Sequence, residues 1–448
     1  MGGAALMGGL FDLAMPFDAD AFDTGGGIGI EEGLYILDGR KEKNINPEIR
    51  PEIRDNPRAV FLVETHVDAR RDARGFYSDA REQLMEAGKR TASLVFVKGS
   101  KKGGSTLVAP NFTTVQDSVV SPVTGVITSP DFIAGFAGGL RDLGTVNIIA
   151  SERGGSISSR RATGVYVVFD RHGIPLIEAQ YQRFGNYSKR EINWHRVPGP
   201  PAVWRRVPTC RPIGDPDCFH INMPKLKCHN LGLTTLSIKN IQGAVPSGYG
   251  HYCTQWPVLR FESERTLGVD LDRVFIPEYY RNVEAAFLRH RAEGYKYWDH
   301  EGAYAAYERK GGWNAFKRIK DDPARVREFM KGIPSALMYD EMWCQRAIDS
   351  AFAVNPDINI VEGVIGRDGN GFNVGTDHLA NYVIIGLSTL EVGSVVSYIM
   401  SQNPLDFVYT RMGRERGLGE TDSEKIGRLR CTNAGVQEPV KILAGTRL

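Results

Sequence analysis

The densest group of side chains able to do chemistry lies between Pro224 and His251, in PKLKCHNLGLTTLSIKNIQGAVPSGYGH. Lys225, Lys227 and His229 alternate, and on an extended strand a period of two sets all three on one face. Two ammonium groups beside an imidazole make an anion-attracting surface. Their charge also lowers the histidine's pKa, which favours a neutral general base or a metal ligand. Thr234 and Thr235 follow, then Lys239-Asn240 ahead of a turn at Gly243, then His251 and Cys253 after a Ser-Gly-Tyr-Gly loop. The bland alternative is a solvated strand face with a structural histidine. The packing of Lys and His beside apolar strand sequence favours a site. Lys227, His229 and Lys239 are the expected catalytic residues, and His229, His251 and Cys253 a conceivable metal set.

These residues need a frame. Strand-like runs occur at Ala59–Val67, Ser93–Lys98, Leu107–Thr113, Val146–Ala150, Gly164–Phe169, Cys218–Met223, Ile358–Val361 and Tyr382–Ile385. Helical spacing covers Asp72–Arg90, a segment opened by Ser129-Pro130-Asp131 and closed at Gly144, and Glu391–Met400. Alternation of strand and helix predicts an α/β fold, with a mostly parallel sheet in two strand–helix halves that meet near Lys227 to Asn240. The site is expected at strand C-termini, where Asn111, Glu152, His229, Lys239 and Asp368 would converge. The Ser151–Ser156 loop (SERGGS) lacks a dinucleotide or phosphate-loop fingerprint.

The division expected is a Gly/Pro-rich leader and linker over 1–57, a first α/β part over 58–276, an aromatic-rich helical insert over 277–353, and a second α/β part with a tail over 354–448. The Tyr and Trp of the insert fall at helical spacing, which favours packing over base stacking. Such an insert is a candidate interface for a second copy or a partner protein. Tyr181 to Val207 is polar, aromatic and basic, and reads as a surface excursion.

Lys and Arg number 55 against 53 Asp and Glu, so the net charge of +2 gives no electrostatic case for coating nucleic acid. Basic residues interleave with Trp in WHRVPGPPAVWRR (Trp194 to Arg206), but no nucleic-acid module is present, and nucleic-acid binding is not expected. No apolar run is long enough to span a membrane. Met1 to Met15 is small and apolar without a basic residue, like the apolar half of a twin-arginine export signal. Export to the periplasm is expected if that signal is truncated, and a cytoplasmic location otherwise. Four of the six cysteines fall between Cys210 and Cys253, which suggests a disulfide-pinned loop or buried thiols; there is no CxxC, hence no iron–sulfur motif.

Several of these segments together resemble the domain-of-unknown-function 362 family. The stretch Pro224, Lys227, His229, then Lys239, Asn240 and Gly243, is similar to its central Pro-x-x-Lys-x-His, Lys-Asn, Gly motif. Ala109-Pro110-Asn111 stands where the family has Lys-Pro-Asn, and Thr128-Ser129-Pro130 is similar to its Thr-x-Pro helix start. INIVEGVIGRDGNG, from Ile358, resembles its acidic, glycine-rich segment. The resemblance covers about Ser93 to Asp422. It implies ligand binding by Asn111, Asn240, Glu362, Asp368 and Asn370. This sequence departs at Ala109, and at Ser388 and Gly393, where the family usually carries aspartates. A distant likeness to nickel-pincer lactate racemases implies redox or 2-hydroxy-acid chemistry, with a transition metal as the conceivable cofactor and a small anion as the ligand. The alternative is a non-catalytic binding or assembly subunit that has lost family carboxylates.

Overall fold

The computed structural model describes residues 34–35, 48–99, 104–152, 157–178, 192–245 and 309–439, apart from short gaps within these spans. Among the described residues, eleven strands form the main sheet. They are β1 (Val60–Glu64), β2 (Ser105–Pro110), β3 (Ile148–Glu152), β4 (Leu176–Glu178), β5 (Cys218–Met223), β6 (Lys225–His229), β7 (Leu233–Thr234), β8 (Ile358–Arg367), β9 (Asp377–Gly386), β10 (Arg428–Thr432) and β11 (Gly435–Pro439). Their order is β11-β10-β1-β9-β8-β5-β2-β3-β4, with β6 paired to both β7 and β8. The run from β8 to β4 is parallel throughout. Antiparallel β9 separates β8 from β1. The chain is therefore an α/β protein with a mostly parallel sheet.

Alternation along the strands builds two cores. Phe61, Val63, Val108, Ile221, Met223, Ile360 and Ile385 face helices α1 (Arg81–Val95), α2 (Pro130–Asp142) and α3 (Val165–Arg171). On the opposite face Val60, Leu62, Leu226, Val361 and Ile384 pack on α6 (Thr389–Ile399), while Leu107 and Cys218 pack on α4 (Ser237–Asn240), α5 (Pro334–Val354) and α7 (Val408–Glu415). Trp343, Cys344, Ala347, Ile348 and Ala351 of α5 lie in that second core with Leu390 and Tyr409, so this part of the aromatic segment is body rather than periphery. Residues 1–33 and 246–308, which hold the apolar leader and much of the aromatic segment, lie outside the described residues. No described helix is long and apolar enough to cross a membrane.

Ser129 caps α2 as its sequence predicts, its Oγ accepting from the Phe132 N–H at 3.4 Å, with Pro130 in the first turn. The Gly164–Phe169 run is not a strand. Gly164, at φ +75°, turns the chain into α3, and Val165, Val168 and Phe169 are buried at helical spacing. Tertiary burial overrides the β propensity of the Val-Tyr-Val-Val run. The run from Ser93 likewise begins as helix: α1 continues through Val95, and only Phe96–Val97 is extended, paired to Glu48–Ile49 outside the main sheet. Tyr181–Val207 is not all surface. Ile192–Arg196 and Arg206–Cys210 pair as an antiparallel ladder, and Trp194, His195 and Trp204 are buried. The expected disulfide is not formed among Cys210, Cys218, Cys228 and Cys344; Cys253 lies outside the described residues.

Helices α1 and α2 touch backbone to backbone. A Cβ on Gly88 would stand 2.0 Å from the Phe132 carbonyl oxygen, and one on Gly135 1.8 Å from that of Met85. Gly138, on the same helix, faces open space. Gly135→Ala is predicted to lower unfolding stability by about 1–3 kcal/mol through overpacking. Gly138→Ala is predicted to raise it by up to about 1 kcal/mol through helix propensity. Denaturant unfolding of the two variants checks the pair, and the reverse ranking contradicts it.

Candidate functional site

The topology creates one switch point. From β2 the chain crosses through α2 to β3 and through α3 to β4, all to one side. It then returns as β5 on the other side of β2. In open α/β sheets the crevice beyond the strand C-termini at such a reversal is where ligands bind. Here the two ends are Pro110-Asn111 and Met223-Pro224. At Pro224 the chain leaves β5 and continues as β6. Strand β8 pairs with β5 through Ile358 and Asn359, and with β6 from Glu362 onward.

Lys225 lies opposite Glu362 in that register, both side chains fully buried and ion-paired. The β8 register shifts between Gly363 and Ile365, freeing backbone donors. Glu362 meets them: Oε1 accepts from the Val364 and Ile365 N–H groups at 3.1 and 3.4 Å. Its Oε2 takes the Lys225 ammonium and the Ser129 N–H at the start of α2. Glu362 is thus a structural staple, with both oxygens committed, rather than a ligand carboxylate.

One step along the same face, Lys227 pairs in register with Arg367, a cation that is itself buried against Asp377 at 2.6 Å. The Lys227 Nζ donates to the Val126 carbonyl at 2.5 Å. Leu226, between the two lysines, points into the opposite core, so the alternation read from sequence holds. Burial, then the positive charge of Lys239, holds Lys227 well below its ordinary pKa; Lys225 and Arg367 add to this and Glu152 opposes it. His229 is buried and held well below the usual imidazole range, first by desolvation and then by Lys239 and Lys227. It is a neutral imidazole at pH 7. Lys227, His229, Lys239 and Glu152 therefore share one electrostatic neighbourhood.

Glu152 ends β3. Its Oε2 accepts from the Phe112 N–H at 2.9 Å, and Oε1 stands 3.2 Å from where a Cβ on Gly243 would be. Gly243 thus leaves room for that carboxylate. Asn111 follows β2, its N–H donating to Thr128 Oγ1 at 2.9 Å. Its Nδ2 donates to Asn240 Oδ1 at 3.0 Å, so these two expected residues meet. Asn240 Nδ2 donates on to Asn222 Oδ1 at 2.8 Å and to the Ala109 carbonyl at 3.0 Å. Asn222 Nδ2 donates to Asn359 Oδ1 at 2.8 Å and to the Ser237 carbonyl at 3.0 Å. Asn359 Nδ2 reaches the Leu387 carbonyl at 3.3 Å. At the other end, Asn111 Oδ1 is buried with no hydrogen-bond partner among the described residues, as are the hydroxyls of Thr235 and Ser237.

Asp368 does not join this group. Its carboxylate binds the Thr376 N–H at 2.8 Å and His378 Nε2 at 2.7 Å, on the exposed turn between β8 and β9. Cys228, on the opposite face of β6 from its neighbours, feels Asp368. Burial, then that charge, raises its thiol pKa to about 11, which makes it a poor nucleophile. Asn370, His251 and Cys253 lie outside the described residues; among the described residues no three His, Cys, Asp or Glu come together as a metal site. Lys239 and Lys227, whose charges lower the His229 pKa, also oppose a cation at that imidazole. Sequence reading missed Asn222 and Asn359 as members of the network. Their signal was an amide inside a fully buried strand.

The molecule is thus an α/β protein with a buried Lys/His/amide cluster at its topological switch point. A family model described as a domain of unknown function, DUF362, matches residues 107–397, and the chain belongs to that family. No curated protein and no solved structure matches it.

Removing half the charge of the staple should be severe. Glu362→Gln is predicted to cost about 3–5 kcal/mol, because it leaves the Lys225 ammonium buried without its counter-ion. The double replacement Lys225→Met with Glu362→Gln, which removes both charges and keeps an acceptor for the backbone N–H groups, is predicted to recover part of that loss. Equilibrium unfolding checks both, and a Glu362→Gln protein of unchanged stability contradicts the assignment.

Proposed function

We propose that the chain binds a small anionic ligand at the switch point and acts on it as an enzyme, with Lys227 and Lys239 supplying positive charge and His229 a neutral base. The observation that supports this reading most is the pairing in β6. Its first lysine has a dedicated buried carboxylate, while the second faces Arg367 across the register with Lys239 beside it. Several cations gathered at one buried place make surroundings that favour an anionic ligand. Glu152 is the carboxylate within this neighbourhood, and Asn111 and Asn240 supply polar contacts at its rim.

The neutral imidazole of His229 is the group able to accept a proton from a bound anion near pH 7. Abstraction of a proton next to a carboxylate, with the charge that develops steadied by Lys227 and Lys239, fits the 2-hydroxy-acid or redox chemistry that the sequence resemblance implies. Lys239, half-buried on α4, is placed to meet the ligand's charge, and Lys227 lies deeper, anchored on the Val126 carbonyl.

Inorganic phosphate is the simplest probe. Calorimetric titration is expected to show binding that Lys239→Met weakens about tenfold or more, the worth of one charge-assisted contact. Lys227→Met is expected to abolish binding, because it removes a buried positive charge that acts on the imidazole. Unchanged phosphate affinity in both variants would sink the reading.

A further inference from the structure

The four-asparagine chain from Asn111 to Asn359 has a direction, and backbone carbonyls set it. An asparagine amide can be turned over without changing its shape, so its polarity must be argued from partners that only accept. Asn240 places its NH2 against the Ala109 carbonyl, Asn222 against that of Ser237, and Asn359 against that of Leu387. Each NH2 is therefore fixed, and each Oδ1 faces the preceding residue. Asn240 Oδ1 faces Asn111, so Asn111 must present its own NH2 inward. Its Oδ1 is then turned to the far side, buried and without a partner among the described residues. The Asn111 and Phe112 N–H groups hold that turn on Thr128 and Glu152, which fixes where the oxygen points.

We infer that Asn111 Oδ1 is a specificity-determining acceptor, and that the anion bound at this site carries a hydrogen-bond donor, in the simplest case a hydroxyl, next to its charged group. This rests on the anion site proposed above and narrows its ligand to a class: small hydroxy-carboxylates rather than carboxylates with no donor. A carbonyl or ether oxygen at that point would face the Asn111 oxygen with no proton between them. A site built to accept a hydroxyl proton rejects an analogue without one, because its own oxygen is left unmet in a buried position.

The test uses an isosteric pair. Glycolate and fluoroacetate have the same charge and nearly the same size, and only glycolate donates. Titration of the full chain with each, monitored by calorimetry or ligand-observed NMR, is expected to show glycolate bound at least about tenfold more tightly. Asn111→Leu is expected to bring the glycolate and fluoroacetate affinities together, whatever its effect on phosphate binding. The wild-type ratio reads the inference without depending on how the variant folds. Equal affinities in the wild type, a preference that survives in Asn111→Leu, or phosphate binding without glycolate binding overturns the assignment of Asn111 and leaves the anion site standing. Failure of the wild-type chain to bind phosphate, glycolate or fluoroacetate overturns the anion site itself.

Discussion

The buried pair between Lys225 and Glu362 is the contact on which the site depends. One carboxylate meets an ammonium, the first free N–H before α2 and two N–H groups released by the β8 bulge. It thereby joins a strand, a bulge and a helix start at one place, and its donors are of the charge-assisted kind that hold geometry well. Burying two ions is unfavourable unless the remaining lone pairs are filled, and here they are filled. The rest of β6 takes its position from that anchor. Beyond the Lys225–Glu362 pair the register shifts, so that Lys227 lies opposite Arg367, and His229 ends the strand. The same pairing that neutralises the first lysine leaves the second among cations.

That asymmetry gives the site its character. His229 is driven toward its neutral form by burial and by Lys239 and Lys227, so the cluster combines electropositive surroundings with a group able to take a proton. Glu152 balances part of the charge and is itself held by the Phe112 N–H and accommodated by Gly243. The asparagine chain links the ends of β2 and β5 to β8 through α4. Charge and amide network meet at Asn111 and Asn240, one turn and one short helix brought together by the switch in strand order.

Much of this was legible in the sequence, for identifiable reasons. The alternation of Lys225, Lys227 and His229 survives into the structure because β6 is a true strand, with Leu226 in the opposite core. The parallel order could be read from strand–helix alternation, and Ser129-Pro130 marked the start of α2. Val165 to Arg171 misled because β-branched residues carry strand propensity, while their burial here is helical. Glu362 and Asp368 looked equivalent as carboxylates six residues apart. Only the bulge and the hairpin separate them, sending one into the core and the other to an exposed turn beside His378. Asn222 and Asn359 are distant in sequence, and nothing local announces that they share a hydrogen bond. The departures from the family pattern are partly explained: Ser388 opens α6, and its hydroxyl donates to Glu391, so a carboxylate still stands at that helix start.

The central claim is that the Lys227, His229 and Lys239 neighbourhood is an anion site. Anomalous diffraction from crystals of the native chain grown in bromide near pH 7 tests it most directly. A bromide peak is expected between Lys239 and the Lys227–His229 edge of β6. A well-occupied bromide substructure that leaves this position empty, or a metal ion seated on His229, would contradict it.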